Sequence, residues 1–341
     1  MSDDDGSVER GVENVVRACL QVQPRERVAL LTHDADDVAR LFTPAIERAG
    51  ARVIRVPLEP WAGRTTTTTT PGIAASITGC SASLLLARGL PGPVSLAALQ
   101  AARRVGSRHL HAIGVERRLL GQSFRADPDK LAALNAEMRN LVAAAHDIVV
   151  KSPTGTQLRV GTAPAFPILA LDGRPSAVAF DNLPAGFLLL HPATVDGAFV
   201  ADRALVSASF AADTQLVRRV TPTFHFARGR VERFTCSDAG LAERIQAYLD
   251  SHSHASRVGT VWVPTNYLVR TEIGVGPQDA LLPGLVVSLG FSASERTRAP
   301  WDAPVQLRLL GRKQTLEVGG RTPVRDGRFE AWFADGLDPL R

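Results

Sequence analysis

Apolar and polar residues recur with two different periods along the chain, and the change of period divides it. Residues 8–22 place Val8, Val12, Val15, Val16 and Cys19 on one helical face, which predicts a helix ending before Pro24. Short apolar runs and helical segments then alternate. We predict strands at 27–33, 51–59, 81–89 and 107–114, and helices at 34–50, 95–106 and 127–146. This alternation predicts an α/β domain over residues 1–146, with a parallel sheet and helices on both faces.

From residue 147 the chain changes to short β-rich runs separated by turns, with one clear helix at 238–252. A length of 341 residues suits two domains. We therefore predict a β-rich α+β domain over 147–341. Within the first domain, "RTTTTTTPG" interrupts the pattern, and it lacks the glycines and the lysine of a phosphate-binding loop. We expect Thr65–Thr70 to form an exposed, mobile loop.

Charge and cysteine content exclude several classes of protein. The net charge of +5 comes from arginines that are scattered and not interleaved with aromatic residues, so we expect no nucleic-acid partner. Three distant cysteines suggest neither a disulfide framework nor a zinc site. The acidic N-terminus has no apolar core, and no run is long enough to span a membrane. We expect a cytoplasmic protein without a membrane partner.

The familiar catalytic signatures are missing: the sequence has no GxGxxG after a strand, GxxxxGK[ST], HExxH or GxSxG. His109 and His111 share a strand face, which would allow metal binding, but their place in a packed sheet favours a structural role. "SHSHAS" at 251–256 is favoured as a polar loop over a metal site. His191 is of more interest, because it follows the turn "DNLPAGF" (181–187), which resembles the rim of a site.

Five motifs in the second domain occur in a recognisable order. They are "VVKSPTGTQLRVG" (149–161), "NLPAGF" (182–187), "VDGAFVAD" (195–202), "GRVERF" (229–234) and "RTEIGVGP" (270–277). The chain thereby resembles the aminopeptidase T family of metallopeptidases, to which 2,5-dihydroxypyridine dioxygenases are related. The resemblance covers nearly the whole chain. It implies an aminopeptidase T-like fold with the active site in the β-rich domain, and a homodimer.

The resemblance also implies that most metal ligands are lost. Phe187 stands where the family has a glutamate, Val286 where it has a histidine and Pro300 where it has another histidine, whereas Glu272 and Asp302 keep their carboxylates. "FSASER" lacks the catalytic tyrosine that the family carries. Two carboxylates are too few for a dinuclear hydrolytic site or a mononuclear iron site. We therefore expect no metal and no cofactor.

Our first hypothesis is a metal-free, non-hydrolytic peptide-binding protein. It would take part in the maturation, including cyclisation, of a ribosomally made peptide natural product (a RiPP), as in crocagin-type pathways. Glu272 and Asp302 are the candidate acid/base groups if chemistry occurs. The expected peptide-binding residues are Phe187, His191, Glu272, Val286, Trp301 and Asp302.

Two alternatives stay open. The first is an active aminopeptidase or non-haem iron ring-cleaving dioxygenase with relocated ligands such as His191, His225 or His254. The second is a purely structural partner protein, which would bind no small peptide and would expose an apolar patch.

Overall fold

The computed structural model of the chain describes residues 3–89, 92–176 and 180–334. Contacts group the chain into two compact units: Met1–Leu131 with Leu171–Gly186, and Ala132–Ala170 with Phe187–Arg341. The sequence predicts a single boundary after residue 146. In the structure most of the helix that precedes this boundary belongs to the second unit, and residues 171–186 belong to the first. The chain thus enters the first unit twice.

A five-stranded parallel sheet forms the centre of the first unit. Its strands, in spatial order, are Arg52–Pro57, Arg27–His33, Ala82–Ala87, Arg108–Ile113 and Asp181–Asn182. The first four were predicted to within two residues at each end. Their burial is nearly continuous, with all six side chains of Ala82–Ala87 buried, as expected for a parallel sheet covered by helices.

The helices predicted for this part of the chain are all present, together with helical segments that were not predicted. The helical segments that begin in the first unit are Asp3–Asn14, the π-helical turn Val15–Cys19, Asp36–Arg48, the 3₁₀ turn Glu59–Trp61, Thr66–Ser76, Gly92–Arg104, Arg117–Leu120, the 3₁₀ turn Ser123–Arg125 and Pro128–Ala145. The last of these begins as predicted, because Asp127 Oδ1 accepts from the backbone N–H groups of Asp129 and Lys130. No helix in the described ranges is both long and apolar enough to cross a membrane.

The threonine run is helical, so the predicted mobile loop is wrong. Thr66–Ser76 forms an α-helix in which the hydroxyls of Thr69 and Thr70 donate to the carbonyls four residues earlier, at 2.7 and 2.8 Å. Ile73 is fully buried in the core cluster of this unit. Burial of that one face outweighs the low helix propensity of threonine, and the bonds to the carbonyls provide the hydroxyls with acceptors.

A buried chain of polar side chains links the sheet to the helix Gly92–Arg104. Ser107 Oγ donates to Ser83 Oγ, which lies 2.9 Å from His109 Nδ1. His109 Nε2 lies 3.2 Å from His111 Nδ1, and His111 Nε2 lies 2.8 Å from Ser95 Oγ. The two histidines share one face, as predicted, and their four ring nitrogens all have partners within this chain. We call these five residues the histidine relay.

The second unit contains two largely antiparallel sheets. The eight-stranded sheet has the order Arg230–Thr235, Thr223–Ala227, Thr194–Val200, Gln157–Gly161, Asp147–Lys151, Thr315–Val318, Arg321–Arg325 and Arg328–Phe329. The six-stranded sheet has the order Ala204–Val206, Gln306–Leu310, Val286–Gly290, Val258–Pro264, Phe187–Leu190 and Leu169–Leu171. The fold is therefore the predicted α/β domain followed by a β-rich α+β domain.

Short helices join the strands of the second unit, and one longer helix matches the prediction. The helical segments are the 3₁₀ helix Ala208–Asp213, Thr214–Val220, Ala239–Asp250, Gly276–Asp279, Ser294–Thr297 and Ala331–Ala334. Ala239–Asp250 begins at Asp238, whose Oδ1 accepts from the N–H of Leu241 at 2.8 Å.

We predict that the histidine relay makes the protein acid-sensitive. Burial lowers the pKa of His111 to about 4 from an ordinary value of 6.5, and burial, with a smaller effect of the nearby His111, holds the pKa of His109 well below that ordinary value. The unfolded chain therefore binds more protons below about pH 6.5, so the free energy of unfolding falls as pH drops from there towards 4. The difference for His111 alone corresponds to roughly 3 kcal/mol.

Urea unfolding between about pH 7.5 and 5 measures this loss. His111→Asn should flatten the pH dependence. His146→Asn is the matched control, because His146 is exposed and its positive φ of 60° suits asparagine. Equal pH slopes in the wild type and His111→Asn would contradict the prediction.

Candidate functional site

The turn "NLPAGF" leads the chain into the strand Phe187–Leu190. Gly186 has a φ of +97°, a backbone conformation that favours glycine, and the strand begins at the next residue. Phe187 is 2% exposed, and its ring stacks on that of Trp262 with centroids 4.7 Å apart and planes 16° from parallel. The turn therefore delivers an aromatic side chain onto another aromatic side chain.

Val286 adjoins the same tryptophan. It lies opposite Trp262 in the neighbouring strand and is 3% exposed, and it packs in a cluster with Leu310 and Ala204. Phe187, Trp262 and Val286 form what we call the Trp262 cluster. Two of the positions where the family resemblance implies metal ligands thus contribute to one apolar surface.

Glu272 is held by three arginines from separate segments. Arg312 binds it in a bidentate manner, with Nε 2.7 Å from Oε1 and Nη2 2.6 Å from Oε2. Arg218 Nη2 lies 2.7 Å from Oε2, and Arg203 Nε lies 3.3 Å from Oε1. We call these four residues the arginine cluster. Every carboxylate oxygen of Glu272 already has at least two cationic partners.

The positive charges of the arginine cluster keep Glu272 deprotonated. Burial alone would raise the pKa of Glu272, but the hydrogen bond from Arg312 and the charges of the three arginines hold that pKa below its ordinary value. Burial lowers the pKa of Arg203, and the charge of Glu272 opposes that effect. Glu272 is therefore an ionised structural anion at neutral pH and a poor proton donor.

His191 and Trp301 belong to a second aromatic group. His191 Nδ1 donates to the carbonyl of Gly259 at 2.7 Å, and its ring lies 4.7 Å from Phe166 and 5.7 Å from Trp301, edge to face. Trp301 also packs on His254, at 4.8 Å. Burial lowers the pKa of His191, and the hydrogen bond to Gly259 opposes this only in part. The ring is neutral at pH 7.

Asp302 anchors a loop. Its Oδ1 accepts from the N–H groups of Ser292 and Ala303 at 2.8 Å, and its Oδ2 accepts from the N–H and hydroxyl of Ser294 at 3.1 Å. Burial raises the pKa of Asp302, but these hydrogen bonds outweigh burial and lower it. The carboxylate caps the turn that begins the helix Ser294–Thr297 and is occupied by that task.

The six residues predicted from the sequence thus fall into separate groups. Phe187 and Val286 meet at Trp262, whereas His191 and Trp301 meet each other. His191 follows Phe187 by four residues along an extended segment, so their backbones are about 13 Å apart at a rise of about 3.3 Å per residue. Glu272 lies among arginines and Asp302 among backbone amides. A role for the six in peptide binding stays a prediction.

Sequence reasoning missed the residues that Phe187, Val286 and Glu272 contact in these groups. Trp262 was not singled out, although it occupies an alternate position in the apolar strand "VGTVWVP", where an aromatic residue can face a site. Arg203, Arg218 and Arg312 carried no signal among so many scattered arginines. Only the fold brings them to one carboxylate.

The side chains at these positions do not fit a metal ion. Glu272 is saturated by guanidinium groups, Asp302 by N–H and O–H donors, and the Nδ1 of His191 by a carbonyl. His225 lies in the eight-stranded sheet beside Arg233. Over residues 3–89, 92–176 and 180–334, no three His, Cys, Asp or Glu side chains are grouped so as to hold a metal ion.

Solved structures of two enzymes share this fold. The 2,5-dihydroxypyridine dioxygenase of Pseudomonas putida KT2440 superimposes with a TM-score of 0.70 at 16% identity, over 97% of this chain and 99% of its own. Wild-type AmpT of Thermus thermophilus does so with a TM-score of 0.66 at 18% identity, over 95% and 99%. At such identities the likeness concerns the fold. A search of curated protein sequences finds no significant match.

The sequence itself matches one family. The NicX family, described as 2,5-dihydroxypyridine 5,6-dioxygenase, matches residues 9–256, which is more than half of the chain. Phe187 and His191 lie within the matched residues, whereas Glu272, Val286 and Asp302 lie beyond them. The chain belongs to the NicX family.

Proposed function

We propose that this chain is a non-hydrolytic member of its family that binds a peptide at the position of the former metal site. The observation that carries the proposal is the stacking of Phe187 on Trp262, with Val286 beside them, where the family resemblance implies metal ligands. A stacked aromatic pair suits the apolar side chain of a ligand better than it suits a hydrated ion. The fold shared with AmpT supports a peptide as the ligand.

The contacts of the two retained carboxylates support binding over catalysis. A general acid must hold a proton near neutral pH. The pKa of Glu272 and that of Asp302 both lie below their ordinary values, and both carboxylates are fully hydrogen-bonded within the protein. We therefore propose that neither residue performs acid–base chemistry and that both hold the walls of the site.

The proposed ligand is a ribosomally made precursor peptide with a bulky or aromatic residue in its core. A protein that binds such a peptide without reacting would hold and orient it while another enzyme reshapes it, as in a crocagin-type pathway. We further propose that the protein acts as a cytoplasmic homodimer.

The first prediction from this proposal concerns metals. After incubation with Fe²⁺, Zn²⁺, Co²⁺ or Mn²⁺ and gel filtration, elemental analysis should find far less than one ion per chain, because arginines neutralise Glu272 and protein N–H and O–H donors occupy Asp302. The protein should neither hydrolyse N-terminally free peptides nor consume 2,5-dihydroxypyridine above the buffer rate. A stoichiometric metal with turnover that Glu272→Gln abolishes would establish the alternative, an active metalloenzyme.

The second prediction concerns Trp262. Calorimetric titration with N-acetylated dialanyl-tryptophan should show binding that Trp262→Ala weakens by about tenfold, as expected for losing an aromatic pair worth roughly 1 kcal/mol and part of its buried area. Trp262→Phe should restore most of the affinity.

The matched control is Trp332→Ala, because Trp332 is 39% exposed on the C-terminal helix Ala331–Ala334. Thermal unfolding of each variant separates loss of binding from loss of folding. Equal affinities in Trp262→Ala and Trp332→Ala would refute a binding role for the Trp262 cluster.

A further inference from the structure

Three polar side chains cross the six-stranded sheet in one row, beside the Trp262 cluster. Arg308 lies opposite Ser288 in the neighbouring strand, and Ser288 lies opposite Thr260 in the next. Residues directly opposite one another point to the same face of a sheet. Arg308, Ser288 and Thr260 form what we call the donor row. Ser288 and Thr260 are 0% and 1% exposed.

Arg308 has no counter-ion within the described residues. Its guanidinium lies over the ring of Trp262, 4.8 Å from the centroid, and its Nε is buried without a hydrogen-bond acceptor. No ion pair joins it to any carboxylate in the described part of the chain, and burial lowers its pKa to about 10. Arg203 is more deeply buried than the partly exposed Arg308, but Arg203 is paired with Glu272. The two arginines therefore differ in whether the protein compensates their charge.

The hydroxyls of the row have the same shortage of acceptors. Ser288 Oγ accepts from Gln306 Nε2 at 3.1 Å, and Thr260 Oγ1 accepts from Trp262 Nε1 at 3.3 Å. Each hydroxyl has one proton of its own left to donate, and among the described residues neither donates it to another group. Because a buried donor without an acceptor costs free energy, three in a row indicate that the acceptor comes from outside the chain.

We propose that the donor row binds the carboxylate of the peptide ligand, with Arg308 pairing its charge and the hydroxyls of Ser288 and Thr260 donating to its oxygens. The identity of the ligand as a peptide rests on the proposed function above. A single uncompensated guanidinium matches a singly charged carboxylate better than a doubly charged phosphate. Trp262 lies under Arg308 and on Phe187, so a terminal carboxylate here would place its own side chain against the Trp262 cluster. The ligand class is a peptide with a free C-terminus and an apolar or aromatic last residue.

The test compares N-acetylated dialanyl-tryptophan as the free acid and as the C-terminal amide, titrated calorimetrically at low salt. The wild type should bind the acid about 10- to 100-fold more tightly, as for a hydrogen-bonded charge. In Arg308→Gln the two dissociation constants should become equal, with the amide almost unaffected. Arg321→Gln is the control, because Arg321 also lies over a tryptophan, Trp332, at 3.8 Å, but on the exposed surface.

Equal binding of acid and amide by the wild type, or a preference for the acid that persists in Arg308→Gln, would overturn the carboxylate site and leave the peptide-binding function standing. If neither form binds, the peptide-binding function fails, and thermal unfolding of the ligand-free protein decides the donor row. Arg308→Met should then raise Tm by about 2–4 °C, because it removes a partly buried charge, with a buried Nε donor, that only a ligand compensates. A fall in Tm would show that Arg308 is structural and would refute the inference.

Discussion

Positive charge around a partly buried carboxylate keeps it ionised, and Glu272 obtains that charge from three places. Arg203 precedes the edge strand Ala204–Val206, Arg218 lies in the helix Thr214–Val220, and Arg312 follows the strand Gln306–Leu310. Since removing one partner of a buried ion pair leaves a costly unpaired charge, each segment is held in place by the same anion. The loop that carries Glu272 is thereby joined to one end of the six-stranded sheet. The conformation of this part of the unit depends on that junction.

The register of the same sheet determines which residues can meet. Trp262 lies opposite Val286 on one side and Leu189 on the other, and Phe187, two residues before Leu189 and on the same face, stacks on its ring. A shift of one residue would turn Trp262 to the opposite face, where it would displace fully buried aliphatic side chains. The Trp262 cluster and the donor row are therefore consequences of one set of strand pairings.

Much of the fold could be predicted, because local patterns determine it. The strand Arg27–His33 was predicted at its observed ends, since continuous apolar residues bounded by charged ones leave few alternatives. The threonine run was predicted wrongly. The low helix propensity of threonine favours a loop, but burial of Ile73 in the core stabilises a helix. The site was harder to predict. Phe187 and Glu272 could be noticed by their motifs, but the partners of each come from segments tens of residues away, and no local pattern encodes such pairings.

The histidine relay of the first unit has a consequence for where protons can reside. His109 Nε2 and His111 Nδ1 face each other, so only one proton fits between them, and the four ring nitrogens together hold at most three protons. With both rings neutral, every donor must point the same way along the bonds from Ser83 through the two rings to Ser95, or all must point in reverse. A chain of hydrogen bonds thus connects the helix Gly92–Arg104 to the sheet, and all its bonds run either in one direction or in the other. Reversing the hydroxyl of Ser83 or of Ser95 requires both imidazoles to change tautomer.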